Sequence, residues 1–343
     1  MPTPDSDARG RRALTAALGI AISVGLLLWA LRGVSIPEVL RHIGAAHPAP
    51  LAMAVVIATL TFPLRLIRWR LLLRDEQGRR YPATPLWHAI ALGFTANNVL
   101  PLRAGELVRS YTAARLAPAR FSTVFSSIAV ERIFDALTVV ALLTLALLSP
   151  DLPPHLTIGG QSVAHLARAG AVAGVAGLLV AILVVAAPLT AERLVRRVLP
   201  FPRFAGGIVS VLEGVRQGLM VLRTPGRLAG VVFWSLVVWL ANALAFYVAF
   251  AAFNIPVSYL GALLLQGLLI LGISLPSTPG FFGPFEAVIV AVLALYGVPK
   301  DVAFSYAIAF HITSFIPITL LGLWSLARNP GAFSRRRRAE ASP

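Results

Sequence analysis

Long apolar segments recur from one end of the chain to the other and predict a bundle of membrane-crossing helices. Each reaches or approaches the roughly 20 residues that a helix needs to cross hydrocarbon. The predicted spans are Ala13–Leu31, Pro50–Leu73, Phe121–Leu148, Val163–Pro188, Leu228–Phe253, Tyr259–Leu275 and Val302–Leu326. We therefore expect one all-α transmembrane domain, residues 13–327, between a basic N-terminus (1–12) and a basic tail (328–343).

Two further apolar segments are interrupted by residues that break helices. Leu86–Leu116 is broken at Asn97–Pro101, and Gly280–Tyr296 follows a break at Pro276–Gly280. One topology has the second segment cross completely, which gives four crossings after Arg227. In the other, the short segments are half-helices of two re-entrant hairpins, the first open to the inside and the second to the outside. That arrangement predicts an inverted repeat, as in many transporters.

Composition supports a membrane protein and not a soluble one. Of 343 residues, 57% are hydrophobic and 13% are charged, whereas soluble domains are about a quarter charged. The net charge is +16, but the arginines cluster beside apolar segments, so the expected partner is anionic lipid and no nucleic acid.

The positive-inside rule predicts a multi-pass protein of the inner (plasma) membrane with both termini cytoplasmic. The chain has no cysteine, which excludes disulfides and thiolate metal sites.

Ionisable residues within apolar segments are the candidate functional residues, because a charge in hydrocarbon costs several kcal/mol. Arg65 and Arg68 lie one turn apart on the second span and would form a cationic patch for phosphate if both point inward. For Arg65, which lies deeper in the span, both a functional role and a non-functional one stay open. For Arg68 and Arg70 we expect snorkelling to the cytoplasmic surface.

A second cluster follows the first break. Asn97 and Asn98 provide donors for an anion, and Arg103, Glu106 and Arg109 share one face of a short helix. The alternative is a cytoplasmic amphipathic helix with an internal ion pair.

A third cluster lies within the span Phe121–Leu148. Glu131 and Asp135 share a face, and Arg132 can pair with Asp135 one turn on. These carboxylates could pair with Arg65 or Arg109 across the bundle, either in a binding site or in a purely structural ion-pair network.

The fourth cluster surrounds the second break. Pro279, Gly280 and Gly283 allow close approach of the backbone to a ligand, and Glu286 begins a half-helix, where its alternative role is capping. His311, in the last span, is interpreted as a packed polar residue, with a proton path as the alternative.

Three sequence blocks resemble the signature blocks of the lysylphosphatidylglycerol synthase transmembrane, or flippase-like, family. They are Asn97–Arg109, Val130–Asp135 and Pro276–Glu286, and they occur in the family's order and spacing. The resemblance implies translocation of an aminoacylated phospholipid or another lipid, including polyprenyl-linked ones. No soluble aminoacyl-transferase domain follows Leu326, so the expectation is a stand-alone member without lysyl transfer.

The resulting hypothesis is a lipid transporter that binds an anionic or aminoacylated phospholipid or a polyprenyl-linked lipid. We expect no catalytic residue, metal or cofactor, and no glycine-rich phosphate loop suggests ATP hydrolysis. The alternatives are a non-catalytic scaffold in cell-envelope assembly and an intramembrane enzyme acting on a polyprenyl phosphate. Candidate protein partners are a second copy of the chain and a separate envelope-biosynthesis enzyme.

Overall fold

A computed structural model describes residues 20–75, 77–100, 104–150, 157–158, 161–186, 224–274 and 278–330. The all-α prediction is confirmed. Among these residues the strands are a single two-residue antiparallel pair, β1 (Thr157–Ile158) and β2 (Gln161–Ser162).

The helices follow in this order: α1 (Ile20–Leu31), α2 (Ile36–Ala45), α3 (Pro48–Leu72), α4 (Ala83–Val99), α5 (Gly105–Leu116), α6 (Phe121–Leu147), α7 (Val163–Ala186), α8 (Pro225–Ala252), α9 (Tyr259–Ile273), α10 (Pro284–Leu295) and α11 (Lys300–Arg328). A 3-10 turn, Pro279–Phe281, precedes α10.

The longest apolar helices match predicted spans. By length and composition, α3, α8 and α11 could each cross a membrane, and α1 with α2 would be a fourth, broken span bent by 80°. The sequence pattern did not indicate this bend, which occurs where Gly33 adopts a φ of 77°. The predicted spans Phe121–Leu148 and Val163–Pro188 correspond to the helices α6 and α7, which are not among these candidate spans, and Tyr259–Leu275 corresponds to the shorter helix α9. Residues 187–188 and 275 lie outside the described residues.

The packing of α3 against α8 defines the two ends of the bundle. These helices run antiparallel, because His47 N–H, before α3, donates to Ala252 O at the end of α8, and Gly230 lies against Leu71 at the opposite ends. The end where α3 finishes and α8 begins also carries many arginines. We call it the arginine end, and its described arginines are Arg70, Arg74, Arg79, Arg80, Arg115, Arg120, Arg227 and Arg328.

The first predicted break separates α4 from α5, which form a tight antiparallel hairpin. Gly105 leaves no room for a side chain, since a Cβ there would lie 2.1 Å from Gly93 O. Asn97 Oδ1 accepts a hydrogen bond of 2.9 Å from Gly105 N–H and so ties the two half-helices together. This hairpin opens toward the arginine end, because His88 of α4 contacts Ser325, near the last residue of α11.

The second hairpin, α9–α10, enters from the opposite end. Gly261 lies against Tyr296 at its base, and Gly272 lies against Val288 near its tip. The helical part begins at Pro284 and not at the predicted Gly280, because Gly280 and Gly283 have φ of 71° and 97°. A Cβ on Gly283 would lie 2.1 Å from Ser23 O, so α1 packs directly on this break.

The two breaks meet inside the bundle. Gly280 of the second break lies close to Asn98 O at the first, with 3.4 Å separating that oxygen from a Cβ built on Gly280. Asn98 Nδ2 also donates to Thr319 Oγ1 at 3.1 Å, which fastens the first break to α11. The structure thus places two half-helix hairpins tip to tip from opposite ends, which is the second of the two predicted topologies.

Candidate functional site

Glu131 of α6 is the centre of a buried network of charges. Arg109 of α5 binds it through two parallel hydrogen bonds, Nη1 to Oε1 at 2.9 Å and Nη2 to Oε2 at 2.8 Å. Arg68 Nη2 lies 3.1 Å from Glu131 Oε1. Since Glu131 is fully buried, these guanidinium groups replace the water that its carboxylate would otherwise need.

Asp135, one turn further along α6, joins α3 and α8 to the same network. Its Oδ1 accepts from Arg68 Nη1 at 2.5 Å and from the indole Nε1 of Trp239 at 2.8 Å. Arg68 Nη1 lies 3.1 Å from Ser235 Oγ, which fixes the guanidinium against α8. Three helices therefore meet at one carboxylate.

The network reaches the surface at Arg132. Its Nη2 lies 2.8 Å from Glu131 Oε1 and 2.9 Å from Asp135 Oδ2, so the predicted pairing with Asp135 is confirmed. Its Nε lies 3.8 Å from Glu106 Oε1. The side chains of Arg132 and Glu106 are 41% and 50% exposed, and these two residues form the accessible edge of the network.

Arg65 differs from its neighbours because no carboxylate of the described residues lies within 4 Å of its guanidinium group. Its side chain is buried, with 7% of the residue exposed, and its guanidinium carbon lies 5.2 Å from the ring centre of Phe94 and 5.6 Å from that of Trp239. No described group accepts a hydrogen bond from it, and its Nε is completely enclosed. Cation–π contact replaces only part of the hydration that burial removes.

The charges of the network do not cancel. Three arginines pair with three carboxylates, namely Arg68, Arg109 and Arg132 with Glu106, Glu131 and Asp135. Arg65 adds a fourth guanidinium beside them, over the ring of Trp239. One positive charge therefore remains within the described residues. A buried surplus charge normally requires a counter-ion, and Arg65 is the member that lacks one.

The second break carries a separate pair, Glu286 and His311, both of which are buried. His311 Nε2 lies 2.8 Å from Gly280 O, a group that only accepts, so Nε2 carries a hydrogen. His311 Nδ1 lies 2.6 Å from Glu286 Oε1, which requires a proton between them because two lone pairs would repel. Glu286 Oε2 accepts from Gly283 N–H at 2.7 Å, which agrees with the predicted capping role.

The remaining predicted residues shape the backbone. Asn97 and Asn98 fix the first break through the contacts described above, and Pro279, Gly280 and Gly283 form the second. Arg103 lies outside the described residues. Within these residues, no group of three or more histidine, aspartate or glutamate side chains could hold a metal ion.

The prediction for Arg68 was wrong. Its side chain is completely buried and pairs with Asp135 and Glu131, whereas we expected it to snorkel. The reason is that α8 and α6 cover this face of α3. The sequence signal for burial was its spacing of one turn from Arg65, which places both side chains on one face of α3. Trp69, on which Arg109 stacks at 3.8 Å, and Ser235 and Trp239 were missed, because neutral residues carry no comparable signal.

The fold and the buried charges define a class of protein: a helical membrane protein with two opposed half-helix hairpins around a polar interior. The sequence model of one family, described as lysylphosphatidylglycerol synthase TM region, matches residues 16–322. The chain therefore belongs to that family, as its signature blocks predicted.

Individual relatives agree with this assignment. The chain is 24% identical to a UPF0104 membrane protein of Methanothermobacter thermautotrophicus over 83% of this chain and 85% of that protein. It is 23% identical to a UPF0104 membrane protein of Pyrococcus horikoshii over 91% and 95% of the two chains. A 131-residue stretch, 38% of this chain, is 39% identical to the protein named glycosyltransferase AglD of Haloferax volcanii, of which it covers 21%.

Proposed function

We propose that this chain is a lipid transporter that binds the anionic head group of a lipid in its polar interior and lets it pass between leaflets. The observation that carries the proposal is Arg65, a buried guanidinium with no carboxylate within 4 Å in the described part of the chain. A head-group phosphate would supply the missing negative charge, while the acyl or prenyl tails stay in the surrounding lipid.

Phosphate suits this position for two reasons. A guanidinium offers several donors in one plane, and phosphate oxygens accept them in pairs. One phosphodiester also carries the single negative charge that would balance the surplus of the network. Half-exposed Glu106 lies at the network's edge, where a carboxylate could accept the amine of an aminoacylated head group.

The candidate lipids share one chemical group, a phosphate. Anionic and aminoacylated phospholipids and polyprenyl-linked lipids all carry phosphate beside their apolar tails. The similarity to a protein named glycosyltransferase AglD favours the polyprenyl-linked class, although it covers only part of both chains. We propose that the passage of the head group is driven either by a downhill lipid gradient or by coupling to an ion gradient.

We place the protein in the plasma membrane with the arginine end and both termini in the cytoplasm. This orientation follows the positive-inside rule, since the arginines of the loops after α3 and α5 lie at that end.

The network argues against an intramembrane enzyme. A general base needs an accessible lone pair and a pKa near the working pH. Both oxygens of Glu131 bind arginines, and both oxygens of Asp135 do so as well. We therefore propose a binding role for these carboxylates and no catalytic one.

Lipid exchange between leaflets tests the proposal. Purified protein is reconstituted into liposomes with fluorescent phosphatidylglycerol or a fluorescent polyprenyl phosphate, and external dithionite measures how fast the inner-leaflet label becomes accessible. We expect the wild type to accelerate exchange and Arg65→Gln to slow it about tenfold or more, because a charge-assisted hydrogen bond is lost.

Arg328→Gln is the matched control, since it removes one arginine at the arginine end without touching the network. It should exchange lipid at the wild-type rate. If a folded wild type moves none of these lipids, or if Arg65→Gln is as fast as Arg328→Gln, the transporter proposal fails and the scaffold alternative gains support.

A further inference from the structure

The pair Glu286 and His311 at the second break belongs to a chain of hydrogen bonds that the proposed phosphate site at Arg65 does not use. Glu286 Oε2 accepts from Gly283 N–H at 2.7 Å, Glu286 Oε1 lies 2.6 Å from His311 Nδ1, and His311 Nε2 lies 2.8 Å from Gly280 O. The chain therefore connects the two ends of the turn Gly280–Gly283 through α10 and α11. At its centre lies the proton that Nδ1 and Oε1 must share, because two facing lone pairs would repel.

The turn that this chain connects has a strained backbone. Gly280, Phe281 and Gly283 have φ of 71°, 63° and 97°, and for a phenylalanine such a left-handed conformation is uncommon. It persists only where the surroundings hold it. The pair binds the turn at both ends, at the carbonyl of Gly280 and at the amide of Gly283. The shape of the break is therefore tied to the contact at the centre of the chain.

The shared proton is buried in the described structure. Glu286 is fully buried, and His311 is 5% exposed. The rings of Phe285 and Phe282 stack on the imidazole with centres 4.0 Å and 4.5 Å away, and Phe315 packs nearly perpendicular to it. The helix α1 packs on the same break. A proton therefore enters or leaves only when these contacts open.

The helices around the pair carry other titratable groups. Tyr306, five residues before His311 in α11, donates its hydroxyl to Phe246 O, and Glu286 is the one such group of α10. Arg103, in the first break, lies outside the described residues. The others on α3, α4, α8, α9 and α11 are Arg65, Arg68, Arg70, His88, Arg227, Tyr247, Tyr259, Lys300, Asp301 and Arg328. All variants of the test keep these groups, so a difference between variants reports on the pair.

The two breaks touch, which links the pair to the phosphate site. A Cβ on Gly280, whose carbonyl His311 holds, would lie 3.4 Å from Asn98 O. Phe94, one turn before Asn98 in α4, has its ring centre 5.2 Å from the guanidinium carbon of Arg65. A movement at the second break is therefore passed to the helix that lines the phosphate site.

We propose that Glu286 and His311 bind the proton that drives the passage of the head group, so that lipid movement is coupled to a proton gradient. The inference rests on the proposed transport function and names its coupling ion. Loss of the shared proton leaves the Nδ1 lone pair facing the carboxylate, and their repulsion breaks the centre of the chain. The break opens and the proton passes to water on the open side. The closed break thus binds the proton better than the open one, which is the difference in affinity that coupling requires.

The steady-state distribution of labelled lipid tests the coupling. Full-length protein is reconstituted into liposomes with a trace of fluorescent phosphatidylglycerol or polyprenyl phosphate in both leaflets. One pH unit is imposed across the membrane, and valinomycin with equal potassium holds the potential at zero. External dithionite then measures the share of label in each leaflet. With one proton per lipid, we expect the wild-type ratio between leaflets to approach about tenfold and a protonophore to restore equality.

Glu286→Gln separates the proton from the contact. The amide can donate to His311 Nδ1 and still accept from Gly283 N–H, so the chain stays whole with no shared proton to release. We expect this variant to exchange lipid without a gradient and to leave the label equally distributed under one. Glu38→Gln is the matched control, because Glu38 is a carboxylate 3.9 Å from the imidazole of His42 but is 43% exposed. It should keep the wild-type ratio.

Each other outcome would overturn the coupling. A wild type that moves lipid but does not respond to the gradient removes it and leaves the transport proposal standing. Equal ratios in the wild type and Glu286→Gln would place the proton elsewhere. A Glu286→Gln variant that moves no lipid at all would mean that the pair holds the fold and carries no proton. A wild type that moves neither lipid, with or without a gradient, overturns the transport proposal and the coupling with it.

Discussion

The two hairpins share a backbone design but differ in the chemistry around their tips. The first break faces the arginine–carboxylate network, in which guanidinium groups surround each buried carboxylate and, among the described residues, one positive charge remains. The second break holds Glu286 and His311, whose Oε1 and Nδ1 lie 2.6 Å apart and whose other polar atoms lie against Gly283 N–H and Gly280 O. Under our proposal the first hairpin binds an external anion, whereas the polar groups around the second are satisfied by one another.

This difference predicts opposite responses to replacing a carboxylate by an amide, and the largest effect should occur at Glu131. Glu131→Gln would leave Arg68, Arg109 and Arg132 converging on a neutral group inside the bundle. We expect the free energy of unfolding to fall by about 3–5 kcal/mol, as for other buried ion pairs that lose one partner. Titration with SDS in mixed micelles measures it.

Glu106→Gln is the control for this prediction. Its carboxylate is half exposed and 3.8 Å from Arg132, so the loss should stay within about 1 kcal/mol. Equal losses for the two variants would show that the network does not depend on the charge of Glu131.

At the second break the amide should be tolerated. In Glu286→Gln, the amide nitrogen can donate to His311 Nδ1 while its oxygen still accepts from Gly283 N–H, so we expect a loss of about 1 kcal/mol or less. Glu286→Ala leaves both groups unsatisfied and should cost about 2–4 kcal/mol in the same unfolding measurement. A Gln variant as unstable as the Ala variant would contradict the shared-proton description.

The close packing of the first hairpin gives the third prediction. Gly105→Ala places a methyl group 2.1 Å from Gly93 O, a backbone atom that cannot turn away, and should lower the free energy of unfolding by about 1–3 kcal/mol. Gly44→Ala, in α2, meets no atom within 4 Å and should be neutral or slightly stabilising. Indistinguishable melting temperatures for these variants would argue against contact between α4 and α5.

The smallest effect concerns the link between the first break and α11. The hydrogen bond from Asn98 to Thr319 should contribute about 1 kcal/mol. A double-mutant cycle with Asn98→Ala and Thr319→Val isolates that interaction. A coupling energy of zero would mean that the break is held by other contacts.

Much of the architecture could be predicted because it depends on local sequence. Proline and asparagine at Asn97–Pro101 and glycine and proline at Pro276–Gly280 interrupt apolar helices, and the structure has both breaks. The partners of the charged residues could not be predicted in the same way. Arg68 binds Asp135, 67 residues away, and His311 binds Glu286, 25 residues away, and such pairs depend on how helices pack.

Arg65 shows the same limit of sequence prediction for a charged residue that forms no close ion pair. Its position in an apolar helix marked it as unusual, and its spacing from Arg68 placed both on one face. Only the structure shows that Phe94 and Trp239 pack against its guanidinium group and that no described carboxylate lies within 4 Å of it. The absence of a partner is a property of the assembled bundle.

Native mass spectrometry of bound lipid tests whether Arg65 holds a lipid phosphate. The protein is compared with and without Arg65→Gln, and Arg328→Gln serves as the charge-matched control. If Arg65 holds the phosphate, one phosphate-bearing lipid stays bound after delipidation when Arg65 is present and is lost in Arg65→Gln. Equal retention by both proteins would mean that Arg65 does not hold the lipid.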